Sequence, residues 1–403
     1  MPSIIQHNDN RNLTKILFLI FIAIITQPYL KPFGIGTESD VQPIPLLLSI
    51  FVVGASLFQK KRIDSLYFRS IVFIITMMVL HTLFFGFDGY YFIRGFYGYI
   101  SIIFITMAVN IAYEHLGPKS LESCLKVIFS AWSIVGLIQV LDPQAFTFWR
   151  DKLILTTGRG SLSLATEPAY FSLALILTSL TLYILNKNNT KYILATLVLT
   201  LFVAKSSVGV IYTAAILGIL LSKKPLHFFI VCALALSLIA IFLVVFQDSR
   251  MGGILIDFIR APLLLAERDQ SFGLRVINIV IPIKAFFDNF GLPYGLFQWT
   301  FVQYEYLIKY FSYFNWINYI DRPENLGSGR ILSIHGQLLF ELGVFSSAAY
   351  YFFWKSVKKQ DINLRLFIII MLMALNGLTL NNPFFSIFIA VAYSHKPTKF
   401  KMS

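Results

Sequence analysis

The segment from Gln247 to Arg330, which begins QDSRMGGILIDFIR (247–260) and ends ENLGSGR (324–330), is the only long polar interruption in this 403-residue chain. On both sides of it the sequence consists of apolar runs of about 15 to 22 residues, and a helix needs about 20 residues to cross a bilayer. Nine such runs precede the segment and three follow it. The sequence therefore predicts an all-α polytopic membrane protein with about 12 transmembrane helices and one large outer loop between spans 9 and 10.

The composition agrees with a membrane protein, because 57% of the residues are apolar and only 13% are charged. A soluble domain has roughly 25% charged residues. Cys124 and Cys232 lie far apart in apolar runs, which favours neither a disulfide framework nor a metal site. The first apolar run follows Lys15 and lacks a small-residue cleavage site, so we interpret it as a retained span rather than a signal peptide.

The apolar runs divide the chain into three parts: 1–246 with nine spans, 247–330 as a partly helical outer loop, and 331–403 with three spans and a tail. The predicted spans lie near 15–30, 44–58, 66–86, 97–113, 123–141, 168–186, 190–204, 207–222, 226–246, 331–354, 363–380 and 382–394. The seventh and eighth spans form a hairpin that turns at Ala204-Lys205-Ser206.

The charges sort by side when the predicted spans alternate across the membrane. Of the 33 basic residues, 19 fall on the side that holds both chain ends, together with only five acidic residues. The other side is close to neutral, so the whole net charge of +13 lies on one face. Because cytoplasmic loops carry an excess of Lys and Arg, both termini are predicted to be cytoplasmic. The same asymmetry explains the charge without a nucleic-acid partner.

The 247–330 segment also contains signs of ordered structure. Apolar residues recur three or four positions apart, as on one face of a helix, at Leu274, Ile277, Val280, Ile281 and Phe287. Aromatic residues are frequent from Tyr294 to Tyr319, and Trp and Tyr are enriched where a membrane meets water. We therefore expect an amphipathic helix followed by an aromatic surface at the outer leaflet.

Three arginines in the predicted outer segments are candidates for binding an anion: Arg159, Arg275 and Arg330. A guanidinium meets phosphate oxygens through paired donors. Each of them could equally be a solvated loop charge or an interface residue. Lys205, at the outer tip of the hairpin, could add positive charge to the same side.

Glu167, His335 and Glu341 lie at or inside predicted span mouths. Glu167 precedes Pro168 and could simply mark the start of a helix, or it could act as a base or orient a sugar hydroxyl. His335 could be a satisfied polar residue, or it could shuttle a proton near neutral pH. Glu341 lies inside a span and is expected to face the bundle interior. His81 and Asn110 are weaker cases of the same kind.

Three motifs resemble the bacterial O-antigen polymerase (Wzy) family, within a wider superfamily that includes the O-antigen ligases. The motifs are RGSLSLATEPAYFS (159–172), GLR (273–275) followed by GLPYG (291–295), and HGQLLFELG (335–343). The number of spans, the large outer loop before the last three and the basic inner face resemble the same family. The chain departs from the ligase pattern in the spacing after His335 and has Lys205-Ser206 where Ser-Arg is common.

The resemblance implies a metal-independent glycosyltransferase without cofactors in the bacterial inner membrane. Such an enzyme joins undecaprenyl-pyrophosphate-linked oligosaccharide repeat units of O-antigen or capsule at the periplasmic face. It implies that Arg159, Arg275 and Arg330 bind pyrophosphate, that His335 or Glu167 is catalytic, and that Glu341 and Lys205 give support. A chain-length regulator and a flippase are the protein partners it suggests.

Three alternatives stay open at this point. An O-antigen ligase would transfer finished polymer to lipid A–core. A flippase for the lipid-linked unit would have shorter and more even loops, often with repeat symmetry in its halves. The cell-wall glycan polymerases of the shape-and-division family generally have fewer spans and an acidic residue on the outer side as their hallmark.

Overall fold

The structure is a computed structural model, and it describes residues 3–27, 43–60, 63–85, 89–146, 160–165, 167–221, 237, 250–260, 270–296, 298–299, 302–303, 305–306, 309 and 331–395. Within those ranges it contains helices and no strand. The α-helices are α1 (Ser3–Ile25), α2 (Pro43–Lys60), α3 (Ser65–Phe85), α4 (Gly89–Leu141), α5 (Pro168–Leu185), α6 (Thr190–Val198), α7 (Ser207–Leu221), α8 (Arg250–Arg260), α9 (Gln270–Asp288), α10 (Ile334–Leu342), α11 (Ser346–Val357), α12 (Asn363–Met373) and α13 (Pro383–Ser394).

The surface of the first three helices is that of a membrane-embedded protein. Large apolar side chains such as Phe51, Phe58, Phe68, Leu83 and Phe84 are more than half exposed. A soluble monomer rarely exposes apolar patches of this extent. In the described part of the chain, three stretches are long and apolar enough to cross a bilayer: Ser65–Phe84, Gly95–Leu141 and Pro168–Leu185. Shorter apolar helices include α7, α12 and α13.

Side-chain contacts sort the helix termini into two ends of the bundle. At one end, here called the Lys187 end, Lys187 lies 3.1 Å from Asp361, and Tyr393 donates a hydrogen bond to Asp64. At the other, the Glu167 end, the start of α5 lies near the π-helical turn that follows α6.

Helix α4 crosses the bundle twice. Gly117 adopts φ 72° and ψ 168°, and Pro118 follows, so the helix is broken into two. Gly98 in its first half lies near Leu380, Glu122 near its middle accepts a hydrogen bond from Asn189, and Gln139 near its end donates to the loop before α5. The predicted pair of spans at 97–113 and 123–141 is thus present as two helices joined at a glycine rather than through a loop.

Ten of the predicted runs overlap helices, but the helices at 15–30 and 97–113 begin earlier, at Ser3 and Gly89, and the helices at 15–30 and 363–380 end early, at Ile25 and Met373. The run at 226–246 lies outside the described residues. The predicted run at 331–354 is not one continuous helix, because it is broken at Gly343, where φ is +56°. The expected span at 363–380 ends at Met373, because residues 374–377 form a turn whose backbone groups bond to the 332–335 segment.

The predicted helix in the 247–330 segment is confirmed as α9, but its buried face differs from the expected one. Ile277 and Ile281 are buried, whereas Val280 and Phe287 are 46% and 69% exposed. The side chain of Leu274 lies outside the described residues. The face that packs inward also contains Asn278 and Ala285, so polar and small residues at the contact made the apolar spacing misleading.

The expected aromatic surface is also wrong where it can be compared. Trp299 and Tyr306 are buried, with exposed fractions of 2% and 8%. Together with Tyr294 they surround Phe340 of α10: the Tyr294 ring stacks on Phe340 at 4.7 Å, and Trp299 meets it edge-on at 5.3 Å. These aromatic residues form a small core that attaches the segment to α10. The aromatic residues from Tyr310 to Tyr319 lie outside the described residues.

Replacing Gly343 with alanine should lower the free energy of unfolding. The positive φ disfavours any side chain by about 1–3 kcal/mol, and a Cβ would collide with the Gly291 carbonyl oxygen. Gly54→Ala is the matched control, since a Cβ there meets nothing within 4 Å and should stabilise helix α2 by about 0.5–1 kcal/mol. Unfolding in detergent with SDS measures both. Equal stability of the two variants would contradict the described turn at Gly343.

Candidate functional site

Helix α9 packs directly on the start of α10, and a glycine makes the close approach possible. A Cβ at Gly336 would lie 2.6 Å from the Asn278 carbonyl oxygen and 3.1 Å from Pro282. The Asn278 side-chain oxygen accepts a hydrogen bond of 3.1 Å from the Leu332 backbone N–H. The segment that leads into α10 is thereby attached to α9. Arg275 lies one turn before Asn278 on the same helix.

Arg275 lies close enough to the Tyr212 hydroxyl of α7 for the two groups to interact electrostatically. That hydroxyl donates a hydrogen bond of 2.8 Å to the Asn376 carbonyl. The same turn receives the 332–335 segment: the Gly377 N–H donates to the Leu332 carbonyl, and the His335 N–H donates to the Ala374 carbonyl. Elements far apart in sequence therefore meet at the 374–377 turn.

The loop before α5 is held against the turn between α6 and α7. The Ser161 N–H donates to the Val203 carbonyl at 2.9 Å, and a Cβ at Gly160 would collide with Ala204. Lys205 follows in this turn with φ +46°, an uncommon conformation for a residue with a side chain. The predicted Ala204-Lys205-Ser206 turn is confirmed, and the Gly160 motif packs on it.

Gln139 of α4 organises the same loop from the other side. Its amide nitrogen donates to the carbonyls of Ala145 and Ser163, and its amide oxygen accepts from Ser161 Oγ and from the Leu162 N–H. A buried side chain with four partners fixes loop geometry, because breaking any of these bonds leaves a buried polar group unpaired. The backbone from 160 to 165 is thus determined by Gln139.

Glu167 occupies the N-cap position of α5, with Pro168 at the first helical position, as the sequence predicted. Its side chain is exposed and makes no capping hydrogen bond, whereas its carbonyl accepts from the N–H groups of Tyr170 and Phe171. The carboxylate therefore stands at the Glu167 end of the bundle, without a role in holding the helix start together.

His335 has protein partners at both ring nitrogens. Nε2 lies 2.8 Å from the Met371 carbonyl, and Nδ1 lies 2.9 Å from the Tyr350 hydroxyl. A carbonyl only accepts, so Nε2 carries the proton in the neutral ring and Nδ1 accepts from Tyr350. This arrangement fixes the imidazole between α11 and α12. It leaves neither nitrogen available to a substrate without the loss of one of these bonds.

Glu341 is buried and faces the bundle interior, as predicted. The Tyr99 hydroxyl donates to its Oε2 at 2.7 Å, and the Gln337 amide donates to the same oxygen at 3.0 Å. The carboxylate links α10 to the first half of α4. It therefore stabilises the position of α10 and does not face the surface of the bundle. His81, the weaker histidine candidate, accepts a hydrogen bond of 3.2 Å from the Leu296 N–H.

The structure divides the predicted site residues into separate groups. Arg275 lies within electrostatic range of Tyr212, the backbone of Ala204 and Lys205 lies against Gly160, and Glu167 is the N-cap residue of α5. Asn110 instead belongs to the Lys187 end, where it bonds to Tyr67 and Ser394. Arg159 and Arg330 lie outside the described residues, although their chain neighbours Gly160 and Ile331 are described. Sequence reasoning missed Gln139, Asn278, Tyr212 and Tyr350, which carry no motif and act through tertiary contacts.

Replacing Gln139 with leucine should lower the free energy of unfolding by about 1–3 kcal/mol, because the buried Ser161 hydroxyl and the Ser163 carbonyl each lose their hydrogen bond to Gln139. The matched control is Gln59→Leu, since Gln59 is exposed on α2. SDS-induced unfolding in detergent compares the two. A Gln139→Leu variant as stable as the control would mean that Gln139 does not hold this loop.

A scan against protein-family models, a search of curated proteins and a search of solved structures each found nothing that matches this chain. Its function therefore has to be argued from its own residues. The relevant geometry is the convergence of a short loop, a hairpin turn, helix α9 and the start of α10 at the Glu167 end.

Proposed function

We propose that this protein is a polysaccharide polymerase of the bacterial inner membrane that joins undecaprenyl-pyrophosphate-linked oligosaccharide repeat units. The Glu167 end faces the periplasm, and the Lys187 end and both termini face the cytoplasm. The reaction transfers the growing glycan from its pyrophosphate carrier to a hydroxyl of the next lipid-linked unit. The sugar–pyrophosphate bond supplies the free energy, so the reaction uses no nucleotide, and the family resemblance implies that it needs no metal ion.

The observation that supports this proposal is the meeting of three motif-bearing segments at one end of the bundle. The Gly160 loop lies on the Lys205 turn, Arg275 lies within electrostatic range of Tyr212 of the helix that follows this turn, and Asn278 accepts a hydrogen bond from the segment before His335. Each segment brings a basic residue or directly follows one. Fixed positive charge stabilises the departing pyrophosphate as negative charge develops on it.

In this proposal Arg275 and Arg159 bind the pyrophosphate, with Arg330 and Lys205 as further cations. The Tyr212 hydroxyl, which is bonded to the Asn376 carbonyl, lies within electrostatic range of Arg275. A guanidinium positioned in this way can present two donors to phosphate oxygens. A lysine provides only a point charge, so it should replace Arg275 poorly.

Glu167 is the group we assign to the acceptor hydroxyl, as base or as orienting group. Its carboxylate is exposed and is not used to cap α5. His335, the other candidate, already has both nitrogens engaged by Met371 and Tyr350. A residue that must accept a proton during the reaction needs a nitrogen or oxygen within reach of the substrate. We therefore assign His335 to positioning α10.

Arg275→Ala should abolish chain growth without lowering the amount of protein in the membrane, because the leaving pyrophosphate loses a paired contact. The measurement is complementation of a gene deletion, read on a surface-polysaccharide gel. Arg260→Ala is the matched control, since Arg260 is an exposed arginine of the same 247–330 segment. Arg275→Lys should restore only part of the ladder. A full ladder from Arg275→Ala would remove Arg275 from the site.

The deletion strain itself distinguishes the proposal from its rivals. A polymerase deletion leaves single repeat units attached to the final anchor and no ladder. Polymer that persists on the lipid carrier but never reaches its anchor would instead indicate a ligase. Lipid-linked single units trapped on the inner leaflet would indicate a flippase. Either of the last two results would overturn the proposed function.

Glu167→Gln should reduce polymerisation by about two orders of magnitude or more, a typical effect of losing a general base, while thermal stability stays unchanged. The control is Glu114→Gln, an exposed glutamate near the Lys187 end. His335→Asn should instead lower thermal stability, because it disrupts the bonds to Tyr350 and Met371. If the Glu167 variant is fully active and the stable fraction of the His335 variant is inactive, the two roles are reversed.

A further inference from the structure

A cavity of about 260 Å³ lies away from the proposed site, between helices α3, α4, α10 and α11. Its lining is almost entirely apolar, with residues such as Phe73, Ile102, Leu338 and Phe352. The α3 residues that line it extend from Leu66 to Ile74, which corresponds to about 12 Å along a helix axis. The space is therefore elongated along α3.

The few polar groups in the lining are either already bonded or located at one end. The Ser70 hydroxyl donates to the Leu66 carbonyl, and the Tyr99 hydroxyl donates to Glu341. Among the described residues that line the cavity, Arg69 is the only charged one, and its side chain is exposed. An apolar interior with one cation near its mouth suits an amphiphile with a hydrocarbon chain and an anionic head.

A second cation reinforces this asymmetry. Lys355 Nζ lies 5.2 Å from the ring centroid of Tyr351, which lines the cavity. The neighbouring carboxylate of Asp64 is engaged by the Tyr393 hydroxyl and by the Leu66 N–H. Both cations lie toward the Lys187 end, near the start of α3 and the end of α11. The positive charge is therefore concentrated at one end of the cavity.

The outer face of α3 beside this cavity is apolar: Phe68, Val72 and Ile75 are about half exposed. In a membrane-embedded protein, such a face is surrounded by lipid. A hydrocarbon chain favourably fills an apolar space that lies next to lipid. The chain loses only contacts with other lipid tails and gains dispersion contacts with the cavity lining.

We propose that this cavity binds one acyl chain of an anionic phospholipid, whose phosphate group lies against Arg69 with Lys355 nearby. The bound chain contacts Tyr99, Leu338 and Leu342, so it supports α10 from the side opposite the Asn278 contact. This site is independent of the proposed polymerase activity, and the lipid is a structural ligand rather than a substrate.

The experiment is native mass spectrometry of the delipidated, detergent-purified protein with added phosphatidylglycerol or phosphatidylcholine of the same chain length. The wild type should retain one phosphatidylglycerol in preference to phosphatidylcholine. Ala348→Phe places a phenyl group in the cavity and should remove this lipid. Ser347→Phe, on the exposed neighbouring position, adds the same group to the same helix and should retain it.

Arg69→Gln should keep the acyl site but lose about fivefold of the preference for the anionic head, as expected for one basic contact at a membrane surface. Added phosphatidylglycerol should also raise the thermal unfolding temperature of the wild type and of Ser347→Phe, but not of Ala348→Phe. If Ala348→Phe does not elute as a monodisperse protein, Ala348→Leu provides the same comparison with a smaller group.

Three results would overturn the proposal. The first is equal retention of phosphatidylglycerol by the cavity-filling variant and by Ser347→Phe. The second is a preference for phosphatidylglycerol over phosphatidylcholine that is the same in Arg69→Gln as in the wild type, or that is absent from both. The third is a polyprenyl phosphate that remains bound at this cavity and is not displaced by phosphatidylglycerol, which would assign the space to the carrier lipid instead.

Discussion

The close contact between α9 and α10 is the interaction on which the rest of the proposed site depends. It needs a residue without a side chain at Gly336, because any Cβ there would overlap the backbone of Asn278. This close approach lets the Asn278 side-chain oxygen accept a hydrogen bond from the Leu332 N–H. Helix α9 of the polar 247–330 segment is thus attached to the helix bundle, and Arg275 lies one turn from this contact.

The end of α10 repeats the same principle. Gly343 takes a conformation open only to glycine and lies against the Gly291 carbonyl, which accepts a hydrogen bond from the Val344 N–H. Tyr294 then donates its N–H to the Phe340 carbonyl and stacks on the Phe340 ring. Two of the motifs noticed in the sequence are therefore in contact with each other. Their glycines are explained by packing, whatever the chemistry of the protein.

The two ends of the bundle differ in how their polar groups are used. At the Lys187 end, polar side chains mostly bond to each other or to helix termini, as in the contacts of Gln360 with the Ala392 and His395 carbonyls. At the Glu167 end, the exposed carboxylate of Glu167 and the half-buried Lys205 and Arg275 lie among loops held by Gln139 and Asn278. Rigid loops that carry charged side chains are suited to binding and catalysis.

Much of the fold could be predicted from sequence, because apolar runs bounded by polar residues determine where helices form. The starts of α5, α7 and α13 agree with the predicted runs to within a residue. The breaks at Gly343 and after Met373 could not be predicted, since each depends on a backbone partner far away in the chain. The same reason applies to Trp299, which was expected at a membrane surface and lies against Phe340 instead.

The candidate site could be predicted only in its charged members. Arg275, Lys205 and Glu167 stand out in an apolar sequence, because charged residues are costly near a bilayer. Gln139, Tyr212 and Asn278 do not stand out, since polar side chains of these types are common and their role comes from the contacts they make. The engagement of both His335 nitrogens likewise depends on Tyr350 and Met371, which no local pattern connects to it.

The most direct test of the proposed polymerase activity uses the purified protein and lipid-linked repeat units extracted from the deletion strain. The two are mixed in detergent or vesicles without nucleotide sugar and with a chelator present. The account predicts a ladder of longer glycans on the lipid carrier, with one undecaprenyl pyrophosphate released for each unit added. Unchanged repeat units in the presence of correctly folded protein would contradict it.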